Sequence, residues 1–511
     1  MAVLNMAGGK RRLLAGAALA SLWSTPAHAD TLREALAEAY INNPTLLSAR
    51  AQQRAVDENV PIEKAAGRPS VTADAQYIEF VQDKPARVNG PDRTLGAGID
   101  LGVPVYSGGA VKNSVRAAEE RVQAGQADLR GTESAIFSRV VAAYMDVLRF
   151  EAIYELSANQ VDVLGVNLQA TSDRFEIGIL TRTDVAQSQA RLALAQSDLR
   201  AAAANLIAAR ETYVQLVGEA PQDLQPPPPL PNLPDSVGVA VATALENNPD
   251  LIAERERAQA AGYDIEVAGA SRLPRVSVFT GGSYANYLGS LDGSTGVILD
   301  PTDPVPSPVQ PTIGQTTTSV QVGVQLSLPL FQGGRPAALR RQAQQRALSQ
   351  YEFVTAVERD VIAQVRSAWA NLAAANAIIE SSQEAIAAAE LSLEGVRAEN
   401  SIGNRTILDV LNAEQELLVA RVDLVTARRN AYVAGFTLLA AMGLAEARDL
   451  SLDVTGPLYD PTINYERVRG KFFDFDDDPA PVPQASRTVD VPPADILIGP
   501  VDDEFYGAND E

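Results

Sequence analysis

Cysteine is absent from this chain, and its one histidine is His28. Without thiols or further imidazoles there is no cysteine nucleophile, no histidine general base and no ordinary zinc site. Paired carboxylates in a cleft-like context are also missing, so the chain does not read as an enzyme and calls for no cofactor and no metal. Basic residues are scarce, with 42 Lys+Arg against 64 Asp+Glu and a formal net charge of −22. Such acidity argues against nucleic acid, whose binding depends on neutralising phosphates. Long hydrophobic runs are lacking too. Lys10, Arg11 and Arg12 precede an apolar stretch, Leu13 to Trp23, that is too short to span a bilayer. With Ala27-His28-Ala29 before Asp30, residues 1–29 read as a secretory signal peptide. No later segment has the roughly twenty apolar residues of a membrane-spanning helix. If the protein is integral to a membrane, it must cross as a closed β-barrel.

What the chain does have is a seven-residue apolar rhythm. Val115, Val122, Leu129, Ile136, Ala143 and Phe150 form one register; Val140, Val147, Tyr154, Val161, Leu168 and Phe175 continue on a second. This is the signature of a helix packed in a coiled coil, here expected over 109–177. The rhythm recurs in Val365, Leu372, Ile379, Ile386 and Leu393, within a second long helix at 334–400. Each ends in a glycine turn and is followed by a return helix, expected at 183–217 and 406–442.

The whole arrangement occurs twice. The segment A-Y-I-N-N-P-T-L ending at Leu46 matches A-L-E-N-N-P-D-L ending at Leu251, and P-V-Y-S-G-G at Pro104 matches P-L-F-Q-G-G at Pro329. Repeats this long mean tandem duplication of a large module. The organisation is therefore a first repeat at 30–218, a proline-rich linker at 219–236, a second repeat at 237–443 and a C-terminal segment at 444–511. The last is acidic and proline-rich, with an expected disordered tail.

Between the helices, period two replaces period seven. Leu95, Ala97, Ile99, Leu101, Val103 and Val105 alternate with small or polar residues, as do Val320, Val322, Val324, Leu326, Leu328 and Leu330. Strands are expected at about 69–81, 94–106, 274–288 and 316–331. Their tips, about 82–93 and 289–315, read as extracellular loops. Length and alternation favour a membrane barrel over a soluble sheet. Four strands cannot close a barrel in one chain, so this reading forces oligomerisation, with two, three or four copies open on geometry alone. The paired glycines Gly108, Gly109, Gly333 and Gly334 suit the sharp strand-to-helix change. From spacing alone, Thr183, Asp184, Arg405 and Asp409 read as helix-start chemistry.

The duplicated N-N-P, the P-V-Y-S-G-G and P-L-F-Q-G-G junctions, and I-G-N-R-T-I-L-D-V-L-N-A at the second turn resemble the TolC family of outer-membrane channels. The match runs from about Thr31 to Leu444. The resemblance implies an α+β membrane protein whose duplicated module pairs a β-hairpin with long antiparallel coiled-coil helices. Three copies would form a homotrimer with a twelve-stranded outer-membrane β-barrel continuous with a periplasmic α-helical barrel. It would be a passive exit duct for small molecules or unfolded protein. The implied partners are a periplasmic adaptor (membrane fusion protein), an inner-membrane transporter of ABC or RND type, and outer-membrane lipid. The other class to separate from it is a soluble periplasmic coiled-coil adaptor.

The resemblance also turns the second glycine turn into a gate. Arg405 would reach Thr183 and Asp184 of the adjoining hairpin, and Asp409 would repeat as a carboxylate ring that selects cations. The sequence departs from the family pattern at Asn412, where a second ring aspartate is expected, and at Asn400, where a tyrosine is expected. The ring charge is thereby halved and one locking hydroxyl lost. With no cysteine at the cleavage site, the lipid-anchored efflux relatives are the poorer match.

Overall fold

A computed structural model describes residues 30–81, 91–290, 314–452, 456–494 and 496. The expected signal peptide and most of both expected hairpin tips lie outside the described residues. Heptad periodicity is realised as two very long helices, α4 (Ala110–Glu176) and α8 (Arg335–Ser401), each of 67 residues. At 1.5 Å per residue each extends about 100 Å. The return helices α5 (Arg182–Val217) and α9 (Ile407–Ala441) pack antiparallel against them. Shorter helices precede each β-hairpin: α1 (Leu32–Asn42), α2 (Pro44–Asp57) and α3 (Asn59–Ala65) in the first repeat, α6 (Val237–Asn247) and α7 (Pro249–Ala270) in the second. The sequence suggests one helix over 45–65, but Pro61 lacks the amide that would bond back and crowds the carbonyl of Asp57. The helix accordingly breaks at Glu58, whereas its counterpart α7 has no internal proline and runs unbroken.

The strands β1 (Ser70–Glu79), β2 (Arg93–Tyr106), β3 (Arg275–Asn286) and β4 (Thr316–Ser327) form one antiparallel sheet in the order β1-β2-β3-β4. Each strand reaches the roughly ten residues needed to cross a bilayer at a tilt. Register puts Val71, Leu101, Thr280 and Val322 in one cross-strand row, so the apolar residues of all four strands share a face, Ile78 and Phe279 excepted. On the opposite face glycines stand directly across from larger side chains. Asp74 pairs with Gly98, Asp100 with Gly281 and Phe279 with Gly323. A Cβ on any of these glycines would meet the facing side chain within 3 Å. The small residues of that face thus let its polar groups lie flat along the sheet.

The N-N-P motif has a physical role at the middle of the molecule. The Asn43 side chain accepts from the amides of Thr45 and Leu46 while its Nδ2 donates to the carbonyl of Leu216, 2.8 Å away. Asn248 repeats this on Asp250, Leu251 and the carbonyl of Ala441. Each asparagine therefore caps the start of one helix and holds the end of another, with Pro44 and Pro249 pre-set for the first helical turn. Around the first of these latches lies the main apolar cluster, including Phe137, Tyr144, Tyr213, Leu46 and Leu439.

The linker is docked rather than free. Leu224 is buried, Leu230 packs against the core, and Tyr144 donates its hydroxyl to the carbonyl of Gln225 at 2.6 Å. The acidic tail departs from expectation as well. It carries a helix, α10 (Pro461–Val468), which packs on α2, with Val468 fully buried. Composition reads this stretch as unable to bury a core; it folds because an existing helix supplies the surface.

Two carboxylates of α4 are held with raised pKa. Burial pushes Glu133 up to about 7 while it accepts from the amide of Ala447. Glu120 rises to about 7 through burial and the facing carboxylate of Glu256 on α7. Both pKa values lie above those of the unfolded chain, so the stabilisation is complete at acid pH and is lost as pH rises from about 4.5 through about 7. We expect E120Q/E133Q to flatten this slope and raise stability at neutral pH by on the order of 1 kcal/mol, read from thermal unfolding across pH. An unchanged slope would contradict the assignment.

Candidate gate at the helical tips

The two glycine turns sit at the far end of the hairpins from the sheet. Gly178 and Gly403 adopt φ of 77° and 83°, a left-handed geometry that glycine takes without strain. Each turn then starts its return helix with a capping box. Thr181 and Asp184 bond reciprocally, the Thr181 amide and hydroxyl both donating to Asp184 Oδ2 at 2.8 Å. Thr406 and Asp409 do the same. These bonds hold the Asp409 carboxyl below its ordinary range, the Thr406 hydroxyl contributing most and Arg405 least. Both aspartates thus serve as helix-start groups, as spacing alone suggests.

Arg405 does not meet Thr183 and Asp184 within one chain. Its Nε donates instead to Glu399 Oε2 at 2.7 Å, inside the same hairpin. Thr183 is exposed in the first turn of α5. Asn400 stands in the turn itself, donating from Nδ2 to the carbonyl of Arg405 at 2.9 Å. It closes the turn as a backbone clamp rather than reaching across to another helix.

The contact between the two hairpins lies one to two turns above the tips. Leu411 and Ile407 of α9 pack on Leu164, Leu192 and Ala195. Beside them Arg191 donates to Asn412 Oδ1 at 2.8 Å, which places Asn412 at the seam between hairpins. The polar centre of the seam is Glu414, only 3% exposed. It accepts from Asn167 Nδ2 at 2.8 and 2.9 Å and from Arg397 at 3.0 Å, tying α4 and α8 to α9. Sequence reasoning passed over Glu414. The signal was available: Val410, Leu417 and Leu424 repeat at seven, and a carboxylate lying between the first two on that face points inward.

Together the open sheet with one apolar face, the paired long hairpins and this seam define the architecture. The sequence model of the outer membrane efflux protein family matches residues 35–219 and 240–444, one span for each repeat. The chain belongs to the outer membrane efflux protein family. It is 35% identical to the outer membrane efflux protein BepC of Brucella suis, over 91% of this chain and 96% of that protein. It is 27% identical to outer membrane protein TolC of Vibrio cholerae, over 87% and 98% of the two chains. Two solved structures share the fold. VceC of Vibrio cholerae superposes with a TM-score of 0.66 at 21% identity, covering 81% of this chain and 96% of that one. The CmeC outer membrane channel of Campylobacter jejuni does so with a TM-score of 0.69 at 15% identity, covering 86% and 89%. This efflux-family chain is an outer-membrane channel for efflux or secretion, with its helical portion in the periplasm. The soluble adaptor reading is set aside.

Removing the Glu414 carboxylate leaves Asn167 without its buried acceptor. We expect Glu414→Ala to weaken hairpin docking by about 1–3 kcal/mol, seen as faster hydrogen exchange at 161–171 and 407–417. Arg405→Ala, which loses only an exposed pair, should leave that exchange unchanged; similar acceleration in both variants would refute the ranking.

Proposed function

We propose that three copies of this chain pool their strands into a twelve-stranded outer-membrane barrel continuous with a periplasmic helical tunnel. The observation that carries the proposal is the open sheet. Its four strands leave β1 and β4 as edges, and Val320, Val322 and Val324 of the edge strand β4 are 80%, 79% and 70% exposed. In hydrocarbon, unpaired edge amides and carbonyls each cost several kcal/mol. The membrane location therefore requires that β1 of one copy meet β4 of the next. A twofold ring would have only eight strands; the tunnel formed by the long hairpins and the family favour the threefold ring. Such a duct is passive. An inner-membrane transporter and a periplasmic adaptor supply energy and docking, and small molecules or unfolded protein pass through.

The gate is the convergence of the second hairpin tips. Glu399–Arg405 pairs, turned inward in each copy, are few and breakable, as a bistable closure requires. Arg405 exchanging Glu399 for Thr183 or Asp184 of the adjoining hairpin would tighten it. Asp409 forms the carboxylate ring at the entrance, and Asn412 adds no charge to it.

The test is conductance in planar bilayers. Purified mature protein should behave in detergent as three copies by light scattering. Arg405→Ala should conduct more in the closed condition, and D409N should lower the cation-to-anion permeability ratio. D409N keeps a side-chain oxygen for the cap, so the turn survives. A water-soluble monomer without channel activity would end this reading, and unchanged currents in both variants would remove the gate from these residues.

A further inference from the structure

The C-terminal segment that composition marks as a solvated tail climbs the outer helices step by step toward the sheet. The amide of Tyr459 donates to the Tyr40 hydroxyl, near the middle of the molecule. Asn464 then donates to Asp57 Oδ2 at 2.7 Å. Tyr465 packs on the cluster of Val60 and Ala118, and Val468 is fully buried. Lys64 holds the carbonyl of Arg469, and Arg68 donates to the carbonyl of Lys471 at 2.5 Å. Arg68 stands two residues before β1 begins. The chain then turns back, and Ser486, Thr488 and Val491 are again beside Asn42 and Gly218 near the middle. The segment is a strap whose apex, residues 472–475, lies at the level where the strands start.

That apex is aromatic and fixed in place. The Arg68 guanidinium lies 5.1 Å from the Phe472 ring centroid, and Phe472 meets Phe473 edge-to-face at 5.7 Å. Yet Phe473 is 80% and Phe475 96% exposed. The acidic residues that follow are drawn to the strap's own cations. Arg467 grips Asp478, and Lys471 reaches both Asp476 and Asp478. The backbone is thus tied down on one side while three phenyl rings project from it.

We propose that Phe472, Phe473 and Phe475 form an interfacial anchor seated in the periplasmic leaflet of the outer membrane. Burial of exposed phenyl rings stabilises by roughly 1.5–3 kcal/mol each in general, and aromatic side chains concentrate at the membrane–water boundary. The apex adjoins the periplasmic end of the strands, whose apolar face continues directly into the same hydrocarbon layer. A lipid boundary fits better than water, and better than a protein pocket, because the rings meet the membrane at the height where the barrel enters it. This rests on the membrane-barrel reading proposed above, so the experiment separates the two.

Mature protein carries one tryptophan among its described residues, Trp369, which Phe can replace. In the Trp369→Phe background, Phe475→Trp and, separately, Val322→Trp are reconstituted into phosphatidylcholine vesicles whose acyl chains are unbrominated, brominated near the headgroup, or brominated near the bilayer centre. If the anchor exists, both tryptophans lose emission in brominated vesicles several-fold more than the Trp369→Phe parent loses tyrosine emission. Quenching of Val322→Trp alone overturns the anchor while leaving the barrel intact. In that case acrylamide quenching would assign Phe475 to water, and a blue-shifted emission resistant to both quenchers would assign it to a neighbouring copy. Absence of bromine quenching at Val322→Trp refutes the barrel reading itself.

Discussion

The constraint that governs this molecule is the need of every backbone amide inside hydrocarbon for a hydrogen-bond partner. A helix meets that need internally, but none of the helices among the described residues is long and apolar enough to cross a membrane. The described residues also hold four strands in one sheet, and four strands leave two open edges. Two features of the sheet bear on this deficit: most of its apolar residues lie on one face, and the other face is thinned by glycines.

Duplication supplies the chain with repeated joints. Each repeat uses an asparagine twice over, to start one helix and to clamp the end of another, and places glycines where the chain must change direction. Gly109 and Gly334 both have φ of 82°, so strand passes to long helix through the same left-handed residue in each copy. These joints are local and redundant. The contacts that distinguish the repeats are long-range: Arg130 reaches the buried Glu446, and Arg429 grips Asp146 with two bonds of 2.9 and 3.0 Å. The repeats are alike in secondary structure and differ in the ion pairs that lock one against the other.

At the tips, strength and mobility are separated along the hairpins. The turns themselves are held by exposed capping boxes and a single exposed ion pair, which water and neighbouring charges can replace at little cost. Above them Glu414 draws three helices together out of water. The hairpins are thus docked by a buried carboxylate, while their ends rest on exposed contacts alone.

Length, period and duplication were legible in the residues because each is a local property. The seven-residue rhythm of Val115 to Phe150, the alternation of Val320 to Leu330 and the repeated N-N-P depend only on spacing. Helix-start chemistry at Asp184 and Asp409 was legible for the same reason. Where sequence reasoning stopped, distance along the chain was the cause. The break at Glu58 is the local exception: Pro61 marks it, but the favourable residues around it masked it. Glu414 could be placed in an apolar row, but its partners Asn167 and Arg397 lie on two other helices. The fate of the acidic tail depended on α2, α3 and the link into β1 offering Asp57, Lys64 and Arg68 in the right order. Residue order alone determined that this chain is long, duplicated and strand-tipped. Only packing decided which charges are buried, which turn closes on itself and where the tail comes to rest, because those outcomes depend on surfaces that exist only after distant segments have met.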